Sequence, residues 1–266
     1  METIGLIAGN RNLPFLFARQ ARRAGFRVAA VGFAEETDLR LKAEVDEFTL
    51  ISVGQLGRLL AFFRKAGARR AVMQGQIRHK LIYSKIKPDW RAALLLLRMR
   101  DKKTDSMLSA VADELGRHGV RLEPATWLME PYLAGRGVLG RVRPSKALAR
   151  DIAFGRELAR GIGALDIGQT VAVKRQSCVA VESIEGTDQA LRRAGRLAGP
   201  GLTVVKLAKP RQDLRFDLPV VGLKTFRTLE KVKAAALALE AGKTLFLDRE
   251  KCLALADRAG ICVVAE

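Results

Sequence analysis

The alternation of strands and helices in the first half of the chain limits its possible folds more than any other feature. Residues 4–8 form a continuous apolar run that ends at Gly9, which is typical of a strand buried on both faces of a parallel sheet. Pro14 follows where a helix would begin, because proline is favoured in the first turn of a helix. Three further apolar runs are separated by segments of helical spacing, at residues 26–31, 48–51 and 71–73. This pattern predicts a doubly wound α/β domain.

A concentration of proline and glycine divides the chain near its middle. Five such residues lie close together there: Pro131, Gly135, Gly137, Gly140 and Pro144. Stretches of this composition are common at domain boundaries, and β-branched runs again alternate with helical spacing beyond it. We therefore expect an N-terminal domain over residues 1–130, a linker over residues 131–143 and a second α/β domain over residues 144–266.

The positive charge of the chain indicates an anionic partner. Lysine and arginine number 47 against 28 aspartates and glutamates, which gives a net charge of +19. Residues 64–103 are strongly basic, with 13 basic and two acidic residues, and they place Trp90 beside the apolar run 92–97. This composition suits an anionic membrane surface or a nucleic acid. Because aromatic residues are only 6% of the chain and no nucleic-acid-binding motif is recognisable, we expect no nucleic acid partner.

Several classes of protein are excluded by the composition. No apolar run is longer than six residues, the length of residues 92–97, which is far shorter than the roughly 18–20 residues that span a bilayer. The first residues lead directly into a predicted strand, so no export signal is expected. We expect a cytoplasmic protein, with peripheral contact with an anionic membrane surface as a further option. Two histidines, His79 and His118, and three cysteines without CxxC spacing do not support a zinc site or a histidine-based triad.

Two loops in the first half are candidate ligand sites. Ligands of open α/β sheets bind beyond the carboxyl ends of the strands, where residues 9–14 and 74–78 are predicted to lie. The first loop contains a single glycine and the second strand ends without a ribose-binding acid, so a dinucleotide is not expected. The loops are either simple turns or a nucleotide or phosphate site. The candidates are Gly9, Asn10, Leu13, Gln74, Gly75 and Arg78.

Polar clusters follow the predicted strands of the second half. Acidic and basic residues are interleaved in residues 166–169, 182–188 and 206–219. Carboxylates ligate Mg²⁺ and basic side chains neutralise phosphate oxygens. Two other interpretations stay open: Thr187 and Asp188 form a helix N-cap, or the whole set is a solvated salt-bridge network. The substrate-binding candidates are Gln169, Glu182, Gly186, Thr187, Asp188, Lys206, Lys209, Gln212 and Arg215.

Four strings carry a resemblance to a known family. They are IAGNRNLP, LDIGQTVAVK, CVAVESIEGTDQALRRAG and VVKLAKPRQDLRFDLPVVG. The chain resembles, over essentially its whole length, the UDP-2,3-diacylglucosamine pyrophosphatases of bacterial lipid A synthesis, in their two-domain and not their calcineurin-like form. Gly222-Leu223-Lys224-Thr225 departs from the Gly-Pro-x-Thr common in the family.

This resemblance implies a fold, a reaction and a set of site residues. The fold is an N-terminal Rossmann-like domain followed by an α/β catalytic domain, assembled as a homodimer with a substrate chamber between the domains. The reaction is Mg²⁺-dependent hydrolysis, with Mn²⁺ as an alternative metal, of UDP-2,3-diacylglucosamine to UMP and 2,3-diacylglucosamine 1-phosphate. The uridine of such a substrate is expected near residues 9–14 and 74–78. Asp217 matches the family's essential carboxylate and is the expected catalytic residue. The candidate metal ligands are Asp217, Asp213, Asp188 and Glu185.

Two other functions are compatible with the residues. One is a nucleotide- or nucleic-acid-binding module without chemistry, and the other is a nucleotide-sugar enzyme for a non-acylated substrate. The diacylated substrate that the resemblance implies would also account for the basic segment, through peripheral residence on the inner face of the inner membrane. Each lysine or arginine near an anionic surface contributes about 1 kcal/mol to such binding.

Overall fold

The chain forms two compact units, each with its own sheet. The computed structural model describes residues 1–34, 36–77, 88–99, 104–210, 213–216 and 218–266, with the backbone alone at 104 and 105. The first unit consists of Met1–Met129 and Asp213–Asp217, and the second of Glu130–Gln212 and Leu218–Glu266. The segment from Asp213 therefore packs with the first unit, although it lies far along the sequence in what we expected to be the second domain.

The first unit is built on five parallel strands. The elements are β1 (Thr3–Ala8), α1 (Leu13–Arg23), β2 (Arg27–Phe33), a 3₁₀ helix (Leu39–Glu44), β3 (Glu47–Ile51), α2 (Leu56–Lys65), β4 (Arg70–Gln74), α3 (Trp90–Arg98), α4 (Thr104–Arg117) and β5 (Arg121–Leu122). The strand order is β3-β2-β1-β4-β5, and every neighbouring pair is parallel. This order confirms the predicted doubly wound domain.

Helix α2 shows why these residues form these elements. Leu56, Leu59, Leu60 and Phe63 are buried, and their spacing gives the helix one continuous apolar stripe toward the sheet. The ring of Phe63 lies so close to β1 that a Cβ at Gly5 would be 2.8 Å from it. Glycine at this position therefore lets the helix pack directly on the central strand.

The second unit is built on a mixed sheet. Its elements are a 3₁₀ helix (Glu130–Tyr132), β6 (Gly137–Val138), α5 (Lys146–Ala164), β7 (Thr170–Lys174), β8 (Ser177–Val181), α6 (Thr187–Ala198), β9 (Thr203–Lys206), β10 (Val220–Val221), α7 (Leu223–Lys231), β11 (Ala236–Leu239), β12 (Leu245–Phe246), α8 (Arg249–Arg258) and β13 (Cys262–Ala265). The six-stranded order is β6-β13-β11-β9-β7-β8, and β10 pairs with β12 separately. Strands β13, β11 and β9 are parallel, whereas β6, β7 and β8 pair with antiparallel neighbours.

Apolar clusters cover both faces of this sheet. On one face α5 packs through Ile152 and Ala159 against the strands, and a Cβ at Gly155 would lie 2.6 Å from the Val205 side chain. The other face carries a larger cluster that includes Phe226 and Phe246, whose rings stack at 5.4 Å. The second α/β domain is thus a layered unit with its own core.

Residues 131–143, which we expected to form a linker, are part of the second unit. Val138 in β6 pairs with Val264 in β13, and the Ala134 amide donates to the Thr244 carbonyl at 2.8 Å. Proline and glycine in a sequence indicate turns, but they do not reveal whether a short edge strand finds a partner.

None of the helices in the described residues has the length and hydropathy of a membrane span.

Candidate functional site

The two candidate loops of the first unit cross each other closely. Asn10 pairs with Gln76 in an antiparallel bridge, and the Gly9 amide donates to the Gln74 carbonyl at 2.8 Å. A Cβ at Gly9 would lie 2.6 Å from the Gln76 carbonyl oxygen, and one at Gly75, where φ is +87°, would lie 2.4 Å from the Asn10 carbonyl oxygen. Both glycines are therefore explained by the crossing of the loops.

The other candidates in these loops have mainly structural contacts. Gln74 is buried and its Nε2 donates to the Ala125 carbonyl at 2.7 Å. The Asn10 Nδ2 donates to Glu36 at 2.6 Å, while the Asn10 Oδ1 is buried without a donor among the described residues. Leu13 is the first residue of α1. Arg78 lies outside the described residues.

In the second unit, strand pairing brings three candidate segments to one edge of the sheet. Thr170 at the start of β7 pairs with Lys206 at the end of β9, and Glu182 directly follows β8, which pairs with β7. The Glu182 amide donates to the Thr170 carbonyl at 2.9 Å. A Cβ at Gly168 would lie 2.0 Å from the Glu182 carbonyl oxygen, so only glycine allows this approach.

Lys206 is the centre of this cluster. Its side chain is only 4% exposed, and Nζ lies 3.7 Å from the Glu182 Oε2. Nζ donates to the hydroxyl of Thr187 at 2.9 Å and to that of Thr170 at 3.2 Å. The Thr187 hydroxyl in turn donates to the Glu182 Oε1 at 2.7 Å. A buried ammonium group is costly unless it is paired and hydrogen-bonded, and this network meets that requirement.

Three buried acceptor oxygens near this edge have no hydrogen-bond donor within the described part of the chain. They are Gln169 Oε1, Glu182 Oε2 and Asp188 Oδ1. Asp188 lies in the first turn of α6, whose N-cap residue Gly186 has φ +80° and receives no side-chain cap. The other Asp188 oxygen lies 2.8 Å from the Lys224 Nζ. Helix amides and a buried ammonium favour an anion, and acceptor oxygens without donors favour a cation or a donor.

Two of the candidate metal ligands are paired with arginine instead. Glu185 lies 2.6 Å from Arg193, and hydrogen bonding to that guanidinium lowers the pKa of Glu185 below its usual value. In the first unit, Asp213 lies 2.6 Å from Arg215, and hydrogen bonding to Arg215 lowers the pKa of Asp213 in the same way. Both carboxylates are therefore charged and already neutralised by a neighbour.

The remaining candidates are divided between defined contacts and undescribed positions. Lys209 lies 2.6 Å from Asp166. Gln212 and Asp217 lie outside the described residues. Within the ranges that the structure describes, no group of three or more His, Cys, Asp or Glu side chains is placed to hold a metal ion.

Sequence reasoning missed Thr170, Lys224 and Glu240 as members of this region. Thr170 contacts Lys206, Lys224 contacts Asp188, and Glu240 accepts from the Ala208 amide at 2.8 Å. Thr170 directly follows the DIGQ string, which was the available signal. The contacts of Lys224 and Glu240 depend on tertiary packing and left no local pattern.

Comparison with known proteins identifies a curated relative over nearly the full chain. The UDP-2,3-diacylglucosamine pyrophosphatase LpxI of Caulobacter vibrioides is 32% identical over 277 aligned positions, which cover 99% of this chain and 97% of the relative. The alignment therefore includes both units.

Two solved structures illustrate distant similarity. The ADP-bound biotin carboxylase domain of a thermophilic 2-oxoglutarate carboxylase is 13% identical, with 75% of this chain and 34% of that chain covered and a TM-score of 0.29. The ADP complex of the N5-carboxyaminoimidazole ribonucleotide synthetase purK is also 13% identical, with coverages of 73% and 44% and a TM-score of 0.29. TM-scores this low carry no argument about function.

Family models match both halves of the chain in order. The LpxI N-terminal domain matches residues 3–132, and the LpxI C-terminal domain matches residues 135–264. Together with the curated relative, these matches establish that the chain belongs to the LpxI family.

Proposed function

We propose that this protein hydrolyses the pyrophosphate bond of UDP-2,3-diacylglucosamine, giving UMP and 2,3-diacylglucosamine 1-phosphate for lipid A biosynthesis. The name of the full-length relative supports the substrate and the reaction. The structural observation that carries the proposal is the buried Lys206 beside Thr187, the first residue of α6. An ammonium group and helix N-terminal amides together suit a phosphate group.

The diphosphate is proposed to bind at this edge of the second unit. Lys206 would neutralise one phosphate oxygen, and the uncapped N-terminus of α6 would donate amide hydrogen bonds to another. The charge that develops during cleavage of a phosphoanhydride is stabilised by such fixed groups. Lys209 and Arg215 remain proposed substrate contacts, because both carry positive charge, although each has a carboxylate partner at 2.6 Å.

Among the candidate carboxylates described in this unit, Asp188 best fits a magnesium ion. Its Oδ1 is buried without a donor among the described residues, and Mg²⁺ is bound in proteins through one or two carboxylates together with substrate phosphates. Glu182 is less suitable, because its Oε2 lies 3.7 Å from the Lys206 ammonium. Glu185 fits less well because Arg193 occupies it. When bound, Mg²⁺, or Mn²⁺ in its place, would neutralise charge on the diphosphate.

Asp217 is proposed as the catalytic residue on the strength of its match to the family motif RFDLP. A carboxylate at this point can orient a water molecule and accept its proton while the water oxygen attacks phosphorus. The bond between that phosphorus and the bridging oxygen breaks, and the bridging oxygen leaves with the other phosphate. The products are two monoesters, which match UMP and the sugar 1-phosphate.

Product analysis with the purified protein tests the proposal. We expect UMP from UDP-2,3-diacylglucosamine, loss of turnover in EDTA and recovery with Mg²⁺. Lys206→Met should lower turnover at least about 10²-fold, because a fixed charge at the reacting phosphate is lost, whereas Lys243→Met removes an ammonium that is half-exposed and paired with Glu240. Equal turnover in the two variants would contradict the assignment of Lys206.

The two other functions make different predictions. Faster cleavage of UDP-N-acetylglucosamine than of the diacylated substrate would identify an enzyme for non-acylated nucleotide sugars. Salt-sensitive binding of nucleic acid without turnover of any UDP-sugar would identify a binding module.

We also propose membrane contact through α3. Trp90 is 69% exposed, Leu94 41% and Leu97 82%, and their i, i+4, i+7 spacing forms one outward apolar stripe. Arg91 lies beside the stripe, with its guanidinium 4.6 Å from the Trp90 ring centroid. An apolar stripe beside basic side chains suits the interface of an anionic bilayer.

The resemblance additionally supports a homodimer. Analytical ultracentrifugation of the full chain should give a mass near twice 29.1 kDa. A single species at the monomer mass over micromolar concentrations would rule this assembly out.

A further inference from the structure

A cavity of about 160 Å³ lies within the first unit. Its wall includes Ile7 of β1, Phe33 of β2, Ile51 of β3 and Met73 of β4, with Leu95 of α3 and Val111 of α4 completing it. The strand residues lie at or near the carboxyl ends of their strands. This is the place where open α/β sheets usually bind ligands.

The lining of this cavity is apolar. Of its residues, only Gln55 and Gly54 are not large or small hydrophobic side chains. The Gln55 Oε1 already accepts from the Ser52 amide at 2.9 Å and from Arg58 at 3.1 Å. A uracil ring or a phosphate would lose its hydrogen bonds to water here without finding replacements, which is unfavourable. The cavity therefore suits a hydrocarbon and not a nucleotide.

Helix α3 has apolar side chains both on the face toward the cavity and on the face toward solvent. Ala92, Leu95 and Leu96 line the cavity, while Leu94 and Leu97 are exposed on the outer side. The two sets of residues lie on opposite sides of α3, so the width of one helix separates the cavity from the surface that we propose contacts the bilayer. A hydrocarbon chain leaving the membrane would have a short path to this cavity.

We propose that this cavity binds a segment of one acyl chain of the diacylated substrate, an inference that rests on the proposed function. Cavities of about 150 Å³ lined by aliphatic and aromatic side chains hold a molecule the size of benzene, so about six carbons fit. The affinity would then depend on the length of the acyl chain, because each methylene that enters the cavity strengthens binding about fourfold until the cavity is full.

The test measures affinity against chain length in the full-length protein. Saturated fatty acids from octanoate to tetradecanoate are titrated by displacement of a fluorescent fatty-acid probe, and KM is measured for substrate analogues with the same range of acyl chains. We expect the affinity for fatty acids to rise steeply with chain length and then to level off, and KM to fall and level off over the same lengths. Val111→Phe and Leu95→Phe each place a ring in the cavity. In these variants the gain in affinity from the shortest to the longest chain should be at least tenfold smaller than in the wild type.

Leu197→Phe is the matched control, since Leu197 is 68% exposed on α6 in the second unit; it should keep the wild-type dependence. Thermal melting shows whether each variant is folded. Two ring substitutions are made so that the test can still be carried out if one of the variants does not fold. A folded Val111→Phe or Leu95→Phe protein with wild-type chain-length dependence would overturn the proposal. Probe displacement that is lost in both ring variants would support the cavity even if the protein failed to hydrolyse UDP-2,3-diacylglucosamine, so the two proposals can fail separately.

Discussion

Lys206 and Glu182 form a buried pair in which the ammonium nitrogen lies 3.7 Å from one carboxylate oxygen, with side chains only 4% and 10% exposed. Thr187 joins them through its hydroxyl, which accepts from Lys206 and donates to Glu182. The pair holds together two segments that lie 24 positions apart in the sequence.

The coupling between these two residues predicts non-additive stability. Lys206→Met and Glu182→Gln should each lower the free energy of unfolding by about 3 kcal/mol, because each leaves a buried group without its partner. The double variant should lose clearly less than the sum of the single losses. Urea unfolding of the four proteins at pH 7 measures this, and strictly additive losses would show that the two groups do not interact.

Asp217→Asn should abolish catalysis without unfolding the protein. The amide keeps the size of the side chain but cannot accept the proton of the attacking water, so kcat should fall at least about 10²-fold. Substrate binding should persist, because a negative charge near the diphosphate is removed. Turnover, substrate affinity and thermal melting are measured on one sample; retention of most of kcat would exclude the catalytic assignment. Asp213→Asn, which removes the same charge from the same segment, provides the comparison.

Asp188 is predicted to bind the metal and Glu185 is not. Asp188→Asn should weaken Mn²⁺ binding at least about tenfold, by loss of a carboxylate ligand. Glu185→Gln should leave Mn²⁺ binding close to the wild-type value, since Arg193 already pairs with that side chain. Calorimetric or paramagnetic titration of Mn²⁺ in the absence of substrate measures this independently of turnover. The opposite ranking of the two variants would transfer the metal site to Glu185.

The Asp213–Arg215 pair predicts a pH dependence of stability. Hydrogen bonding to Arg215 lowers the pKa of Asp213 in the folded protein, so folding is favoured while the carboxylate is ionised. This contribution is complete above the unfolded pKa of about 3.9 and is lost as the pH falls through the lowered folded pKa. Asp213→Asn should therefore be less stable than the wild type at pH 6 and approach it below about pH 4. Urea midpoints of both proteins at pH 6, 4 and 3 measure the difference in stability. A difference that stays the same at all three pH values would show that ionised Asp213 does not stabilise the folded protein.

Vesicle sedimentation tests the membrane contact of α3. Wild-type protein should bind vesicles with anionic lipid, and less so as salt rises, because the basic side chains are screened. Leu97→Asp should reduce binding about tenfold or more, since the charge opposes insertion of the stripe. Leu197→Asp alters another exposed leucine, in the second unit, and this variant should bind as the wild type does. Equal binding of all three proteins to neutral and anionic vesicles would exclude an electrostatic contact.

The strand–helix alternation and the family strings were readable from the sequence because both depend on residues close together in the chain. The apolar run ending at Gly9 predicted the central strand β1, and the RFDLP string placed Asp217 in the family pattern. Strands buried on both faces need continuous apolar runs, and the helices that cover them need apolar side chains at helical spacing. These requirements are local, so they leave a local record.

Only the tertiary structure decided which polar residues meet. Lys206 contacts Thr170 because the antiparallel register of β7 and β9 pairs these two residues. Asp213 belongs to the first unit although it is distant from the rest of that unit in the sequence. The same folding paired Glu185 with Arg193 and left one oxygen of Asp188 without a donor within the described residues. It also formed an apolar cavity from strand and helix residues of the first unit that are distant in the sequence, such as Ile7, Leu95 and Val111. Pairings between distant segments depend on strand register and on the relative burial of whole elements, and neither quantity is recorded in the spacing of neighbouring residues.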